Sequence, residues 1–269
     1  MKNIKILFGS LVVSVAIIAG ITACQKEEPQ AGISKDNEEI LSYLVDQFGF
    51  DRASLQVKNG QIIAENDIVF PITNFWENYG KPSQFSPDST LANTVQERKH
   101  YKHLYLVSTP NPPRVILVNA LPSVSAAWNT AISNAISAWN ARGLNVRFAP
   151  QCGTIEIAGA INVKAENLNA PTVYASGQLP TGNGNPGYWL KINTNGPTTT
   201  AAQKTYAIVH ELGHTIGFRH TDGGVGTWIT GVSSPCKNNT DPSSVMQGYG
   251  CPAWSSFSTC DKEVFNFIY

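Results

Sequence analysis

The chain has 269 residues, of which 19 are basic, 19 are acidic and only 14% are charged in total. No basic stripe runs along the sequence. Its absence excludes nucleic-acid binding and a polybasic membrane-binding patch. The low charge and the many Thr, Ser, Asn and Gly residues are typical of an exported protein.

Residues 1–24 predict a lipoprotein signal peptide. Lys2 and Lys5 form a basic start, an uncharged and mostly apolar run follows, and Ile21–Cys24 resembles a bacterial lipobox. Cleavage would leave Cys24 as the lipidated N-terminus, with a free or disulfide-bonded Cys24 as the alternative. We therefore expect a lipid-anchored protein of the bacterial cell envelope, at the outer membrane or cell surface. Without the two leader lysines, 17 basic residues face 19 acidic ones, a net charge of −2.

Residues 25–109 predict a tether and a small N-terminal region, which is a candidate propeptide. A short amphipathic helix is expected from Asp36 to about Gly49, followed by a hairpin that turns at Asn59-Gly60 and by a strand at Ile68–Phe70. The proline-rich stretch around Pro110 predicts the boundary to a second domain, residues 110–269.

The second domain reads as a strand, a helix, several strands, a second helix and a short last helix. The expected elements are a strand at 114–118, a helix at 125–142, strands at 144–148, 154–158, 172–175 and 188–192, a helix from Thr199 or Thr200 to Gly217, and a last helix from Ser258 or Thr259 to Tyr269. Residues 221–258 show little periodicity.

The second of these helices carries His210-Glu211-Leu212-Gly213-His214, and the chain reaches a third histidine at His220. Residues four apart on a helix lie on one face, about 6 Å apart along the axis, so the first two histidines can bind one ion. Gly217 lets the chain leave the helix and bring His220 back. Three imidazoles leave one position of a tetrahedral zinc open, and Glu211 is placed to hold a water on it.

A lone internal methionine, Met246, follows 26 residues after His220. The motif and this methionine resemble the metzincin zinc peptidases, and His210–His214 with Gly217–His220 resembles the dual-action HEIGH metallopeptidase family. The resemblance implies an α+β fold: a two-lobed metzincin-like domain with a mixed sheet, two long helices and an irregular C-terminal lobe, preceded by the small N-terminal region. It also implies one catalytic Zn²⁺, a turn holding Met246 beneath the ligands, and Tyr249 as a candidate fifth ligand or oxyanion stabiliser.

The expected function is therefore a zinc-dependent endopeptidase of extracytoplasmic proteins, in which Glu211 activates the metal-bound water. A strand around Val173–Ala175 is the candidate edge that pairs with an extended protein or peptide substrate. One alternative is a non-catalytic binding or adhesion lipoprotein on the same scaffold. Another is a zinc hydrolase that acts on a non-protein substrate.

Three further sets of residues carry expectations. Cys152, Cys236, Cys251 and Cys260 are an even number in an exported chain, which predicts two disulfides of undetermined pairing and favours them over a cysteine-rich zinc site. No cysteine lies between Cys24 and Cys152, so a cysteine-based latch is excluded there, whereas Asp67 resembles the aspartate latch of astacin propeptides. His100 and His103 are expected to be surface histidines.

Overall fold

One mixed β-sheet connects the N-terminal region with the rest of the molecule. The computed structural model describes residues 34–80, 100–110, 113–222, 226–238 and 241–269. Ser34–Tyr269 forms one compact unit. The predicted leader, with Cys24, and most of the tether lie outside the described residues. Within the described ranges, no helix combines the length and the apolar character that crossing a membrane requires.

The N-terminal elements are short and follow the predicted ones. They are α1 (Lys35–Phe48), β1 (Leu55–Lys58), β2 (Gln61–Ala64), β3 (Ile68–Pro71) and α2 (Phe75–Tyr79). Gly49 ends α1 with φ 70°, and Asn59 and Gly60 form the β1–β2 turn with φ 51° and 72°. Positive φ at both turn positions matches the tight hairpin turn that Asn-Gly predicts. The prediction missed α2, because one helical turn is too short to show a period.

The second part of the chain contains the two long helices and most of the sheet. Its elements are β4 (Tyr101–Lys102), β5 (Arg114–Ala120), α3 (Ala126–Asn140), β6 (Val146–Cys152), β7 (Ile161–Glu166), β8 (Ala175–Gln178), β9 (Trp189–Asn193), α4 (Ala201–Ile216), β10 (Thr227–Trp228), α5 (Ser234–Asn238) and α6 (Thr259–Ile268). The α+β class, with a mixed sheet, two long helices and a C-terminal stretch of little regular structure, is confirmed.

Two strand predictions in this part are wrong in position. Residues 154–158 are irregular, and the unpredicted β7 follows them. The buried Asn162 side chain accepts from Ile157 N–H (2.8 Å) and donates to Ile157 O (3.0 Å), which satisfies this backbone without a ladder. The strand expected at 172–175 begins only at Ala175 and continues to Gln178.

The strand order places the N-terminal hairpin and β3 next to β8. Across the sheet the order is β1-β2-β3-β8-β9-β7-β5-β6. The strands β6, β5, β7 and β9 are parallel, β8 is antiparallel to β9, and β3 pairs in parallel with β8. If β1 to β3 were removed, β8 would become the outer strand, and it begins at Ala175, the last residue of the predicted substrate edge.

Two hydrophobic clusters stabilise these parts. The larger lies between the sheet and the helices α3, α4 and α6, around the buried Trp139, whose Nε1–H donates to Val209 O of α4 (3.0 Å). The smaller contains mainly side chains of the N-terminal elements and is closed by Leu179, which follows β8. Its aromatic members are Tyr43, Phe48, Phe50, Phe70, Phe75 and Tyr79. The N-terminal region therefore has a small core of its own and packs against the end of β8.

The expectation of two disulfides is wrong in number. Cys236 in α5 and Cys260 in α6 form a disulfide, whereas Cys152 and Cys251 are free. Cys152 is exposed at the end of β6, and Cys251 is buried with its thiol donating to Gln203 O (3.2 Å). The even number of cysteines does not reveal that the Cys152 thiol faces solvent while the Cys251 thiol faces helix α4.

Candidate metal centre and active site

Helix α4 and its exit turn bring the three predicted histidine ligands together. Thr200 and Gln203 form a capping box at the start of the helix. At its end Gly217 has φ 113°, and Phe218 N–H donates to Gly213 O (3.0 Å), so the chain reverses over the last turn. His220 therefore returns to the face of α4 that carries His210 and His214, as the glycine predicted.

The Nε2 atoms of the three histidines converge on one point. His220 Nε2 lies 3.1 Å from His214 Nε2 and 3.3 Å from His210 Nε2. A tetrahedral zinc with Zn–N bonds of about 2.0–2.1 Å holds its ligand atoms about 3.3–3.4 Å apart. All three side chains are buried, at 5% exposure or less. The donor set and its spacing therefore fit a zinc ion.

The other ring nitrogen, Nδ1, of each histidine faces an oxygen acceptor. The acceptors are Val245 O for His210 (2.6 Å) and Phe218 O for His214 (2.8 Å), and Glu65 Oε2 forms an ion-pair contact with His220 Nδ1 (3.1 Å). Carbonyl oxygens only accept hydrogen bonds, so the Nδ1 atoms of His210 and His214 carry protons, and the Nε2 of either ring, when that ring is neutral, offers its lone pair inward. Such contacts fix the tautomer and the ring orientation of metal-binding histidines.

Burial and the neighbouring charges act differently on two of these rings. Burial and the two nearby histidines lower the pKa of His214 well below its usual range. Burial also disfavours a charged His220, but the charge and hydrogen bond of Asp67, with those of Glu65, raise its pKa well above the usual range. The state of His220 therefore depends on residues of the N-terminal region.

Glu211 lies beside the converging nitrogens, as predicted. Its side chain is 3% exposed, and its Oε2 has no hydrogen-bond partner among the described residues. Burial, and secondarily the charge of Asp67, raise its pKa well above the usual range. A Cβ on Gly177 of β8 would lie 3.0 Å from this Oε2, so glycine allows the strand to pass close to the carboxylate. A buried carboxylate with a free oxygen and a raised pKa can accept a proton.

Met246 lies against Gly213 of α4, within the histidine motif, and is 1% exposed. A Cβ on Gly213 would lie 2.4 Å from Met246 Sδ, so the glycine inside the histidine motif makes room for the methionine. Met246 O accepts from Thr221 N–H (2.8 Å), which ties the turn to the residue after His220. Tyr249 is 78% exposed on the wall of the adjacent cleft, and its role as a fifth ligand or oxyanion stabiliser stays a prediction.

Asp67, at the turn between β2 and β3, inserts its carboxylate among the three histidines. Asp67 Oδ1 lies 3.2 Å from His220 Nε2 and 3.8 Å from His214 Nε2, and Oδ2 lies 3.5 Å from His210 Nε2. The four side chains form a group able to hold a metal ion. Although burial favours its neutral form, the three histidines hold the pKa of Asp67 well below its usual range. A carboxylate of the N-terminal region thus occupies the open side of the site.

A second acid of the same turn, Glu65, holds the buried Arg219. Glu65 Oε1 lies 3.2 Å from Arg219 Nη2, whose neighbour Nη1 donates to Phe48 O (3.0 Å). The guanidinium also lies 3.5 Å from the ring centre of Phe50. These contacts with Arg219, which is 1% exposed, all come from the N-terminal region. Glu65 therefore joins the Asp67 turn to the residue that precedes the third histidine.

The backbone of the same turn covers β8. Asp67 O accepts from Gly177 N–H (3.0 Å), and Ile68 and Val69 lie opposite Gly177 and Gln178 in the parallel register. A cleft of about 350 Å³ remains beside the site, between residues 172–175, α4 and the 247–251 segment, with Asp67 in its wall. In the full chain β8 is thus already paired with β3 at Gly177 and Gln178, whereas the predicted substrate edge at 173–175 lines the cleft.

The expectation of surface positions for His100 and His103 is wrong, because both are buried, at 3% and 1% exposure. His103 lies among aromatic rings, with Phe48 centred 4.5 Å and Tyr105 centred 5.5 Å away. Burial, with the charges of Arg219 and Lys102, lowers its pKa well below the usual range. The three-residue spacing of His100 and His103 in a polar stretch of sequence did not indicate that either side chain is buried.

Sequence reasoning missed four residues that shape the site: Glu65, Gly177, Gly213 and Arg219. The turn residues Glu65 and Asn66, with φ 51° and 79°, carry a signal in their tight-turn composition, but the element they contact is about 150 residues away in sequence. The roles of Gly177 and Gly213 become clear only from the tertiary structure. A Cβ at Gly177 would lie 3.0 Å from Glu211 Oε2, and one at Gly213 would lie 2.4 Å from Met246 Sδ.

Comparison with known proteins agrees with this chemistry. The model of the dual-action HEIGH metallo-peptidase family matches residues 86–225, just over half of the chain. No curated protein matches. Among solved structures, one of myroilysin is 15% identical and covers 60% of this chain and 86% of its own, with a TM-score of 0.40. High choriolytic enzyme 1, a hatching enzyme zinc-protease from the medaka fish Oryzias latipes, is 16% identical over 61% of this chain and 93% of its own, also at 0.40. Similarities this low carry no argument about function.

Proposed function

Since the chain belongs to the dual-action HEIGH metallo-peptidase family, we propose that it is a zinc-dependent endopeptidase of the metzincin kind that acts on extracytoplasmic proteins. The observation that carries this proposal is the convergence of His210, His214 and His220 through Nε2, with the buried Glu211 beside them. The three histidines would hold one Zn²⁺. When bound, zinc supplies a Lewis acid that polarises a carbonyl and acidifies water.

Glu211 has the proton-transfer role in this proposal. Its unpartnered Oε2 accepts a proton from the attacking water, and the same carboxyl then delivers that proton to the leaving amine nitrogen. The water oxygen forms the new bond to the carbonyl carbon while the C–N bond breaks, so atoms and charge balance. The raised pKa of Glu211 suits a group that must both take and return a proton.

The backbone of β8 would position the substrate. An outer strand binds an extended peptide through main-chain hydrogen bonds, which tolerate many side chains. In this structure Gly177 N–H already donates such a bond, to Asp67 O, next to Glu211. A substrate paired along β8 would therefore lie across the zinc ligands with side chains in the adjoining cleft.

The N-terminal region would keep the peptidase latent. Asp67 fills the side of the zinc site that a substrate carbonyl needs, and β3 fills the strand position beside β8. Glu65 and Arg219 anchor that turn through a buried ion pair. Residues 25–109 thus act as a removable propeptide in this proposal, and peptide-bond hydrolysis requires their release.

The location is proposed from the sequence alone. The lipobox-like Ile21–Cys24 would tether the mature protein to the cell envelope by lipid chains on Cys24. Metabolic labelling with a palmitate analogue tests it: we expect label on the wild-type protein and none on Cys24→Ser. Label on both, or on neither, would contradict a lipid anchor at this residue.

Casein hydrolysis by the full chain and by a chain beginning near residue 110 tests the peptidase. We expect the shortened chain to cleave casein, a chelator to stop cleavage, zinc to restore it, and the full chain to be much slower. A folded, zinc-loaded short chain that cleaves neither casein nor a peptide library would favour the adhesion or binding protein. Activity confined to non-peptide esters or amides would favour the other hydrolase.

A further inference from the structure

A second group of possible metal ligands lies beneath the turn of Met246. His100 is 3% exposed, and neither of its ring nitrogens has a hydrogen-bond partner among the described residues. Its Nε2 points at Asp261, 3.7 Å from Oδ1. Asp241 adds a second carboxylate, and the three donor atoms lie within 4.8 Å of one another.

Among the described residues, the two carboxylates of this group have no lysine or arginine partner. Asp261 is fully buried, and within the described ranges no lysine or arginine forms an ion pair with it or with Asp241. The hydrogen bonds to them come from neutral groups: Ser244 Oγ–H, Val245 N–H and Ser258 N–H to Asp261, and Ser243 N–H and Ser258 Oγ–H to Asp241. Buried charges are normally paired or bound to metal, so a cation fits between them.

We propose that His100, Asp241 and Asp261 bind a second divalent transition-metal ion, and zinc is the probe that we choose. Calcium and magnesium prefer oxygen ligands alone, whereas an imidazole nitrogen with two carboxylate oxygens suits zinc. The charge balance also agrees, because two carboxylates neutralise a divalent ion and His100 can remain neutral. Asp241 is only partly buried, which leaves a side from which the ion can enter.

In the full chain, before residues 25–109 are released, this ion would stabilise the catalytic site from below. Asp261 Oδ2 accepts from Val245 N–H (2.9 Å), and Val245 O is the acceptor for His210 Nδ1 (2.6 Å). The ion would therefore join residue 100, the 241–245 turn and the start of α6 around the backbone that orients one catalytic ligand. The role is structural, since none of the three side chains is placed at the converging Nε2 atoms.

Zinc stoichiometry of the folded full-length protein tests the proposal. The protein is equilibrated with buffered zinc, freed of unbound metal and measured by mass spectrometry of the metal. We expect two zinc ions per wild-type chain and one in His100→Ala. The matched control is His103→Ala, another buried histidine without nitrogen partners, whose surroundings are aromatic, and it should keep two.

Two further variants separate this site from the catalytic one. His214→Ala should also retain one zinc, and His100→Ala with His214→Ala should retain none. If His100→Ala fails to fold, Asp241→Asn takes its place as a milder change at a partly buried position. This variant should likewise bind one zinc ion per chain. One zinc per wild-type chain that persists in His100→Ala or Asp241→Asn would overturn the second site. One zinc that is lost in either variant but persists in His214→Ala would instead overturn the catalytic site and leave this one standing.

Discussion

Two segments meet at the same three ring nitrogens but are held in different ways. The segment from α4 to the Met246 turn orients His210 and His214 through backbone carbonyls of its own part of the chain, Val245 O and Phe218 O. The β2–β3 turn reaches the site through the side chains of Asp67 and Glu65 and a short parallel pairing with β8.

We call the segment from α4 to the Met246 turn the building segment, because it orients ligands of the site. We call the β2–β3 turn the blocking segment, because its carboxylate covers the site. Backbone acceptors remain wherever α4 and its turn are folded, so two ligands keep their orientation without the N-terminal region. Only His220 takes its Nδ1 acceptor, Glu65, from that region. A site that is assembled by one segment and covered by another suits an enzyme that is stored in an inactive form.

The largest expected effect is on the building segment. In the shortened chain, Glu211→Gln keeps the size of the side chain but removes its basicity, so kcat/KM on casein peptides should fall by about 10²–10⁴-fold. Zinc content should not change, because Glu211 is not among the converging ligands. A zinc-loaded variant with wild-type kcat/KM would disprove the assigned role.

The next effect is on the blocking segment. Asp67→Ala in the full chain removes the carboxylate from the zinc site, and a charge-assisted contact of about 1.5–3 kcal/mol corresponds to roughly 10–100-fold in activity. We therefore expect casein hydrolysis by the full chain to rise by that factor. Asp46→Ala, an exposed acid on α1, is the control and should change nothing. If uncleaved Asp67→Ala protein hydrolyses casein at the wild-type rate, Asp67 does not act as a latch.

The third prediction compares a buried ion pair with an exposed one. Glu65→Gln leaves Arg219 buried without its counter-charge, which costs about 3–5 kcal/mol and should lower the Tm of the full chain by about 6–20 °C. Glu38→Gln breaks the Arg52 pair, whose side chains are 44% and 51% exposed. That loss is about 0–1 kcal/mol, or less than about 4 °C. Equal shifts in a thermal unfolding scan would show that the turn is not anchored through Arg219.

The smallest effect concerns Cys251, which lies in the cleft wall just after the Met246 turn. Burial, and then the charge of Glu211, raise the pKa of the Cys251 thiol to about 12. Alkylation requires the thiolate, so iodoacetamide at pH 8 should modify the exposed Cys152 and leave Cys251 intact in both the full and the shortened chain. Peptide mass spectrometry checks this, with unfolded protein as the control. Rapid modification of Cys251 in the folded protein would contradict the buried wall.

The sequence predicted the arrangement of the three histidines better than the surroundings of these residues. The spacing of His210, His214 and His220, and the glycine at the helix exit, follow from one helix and one turn, so local rules were sufficient. The position of Met246 followed from family resemblance. The strand at residues 154–158 was wrong because Asn162 satisfies that backbone with its side chain, a contact that periodicity cannot show.

The contacts that cover and surround the site depend on long-range packing. Asp67 in a short turn is an ordinary residue until β3 pairs with β8, more than 100 residues later in the chain. The same holds for Glu65 with Arg219, and for His100 with Asp261, whose burial could not be read from a polar stretch.

The sequence by itself determined the chemistry: a helix and a glycine turn fix three imidazoles and one carboxylate within eleven residues, where helical geometry leaves little choice. Only the tertiary structure decided whether that chemistry is open to a substrate, because sheet order brings an acid from residue 67 onto the ligands. Pairing between distant strands depends on the whole core, and no local pattern encodes it.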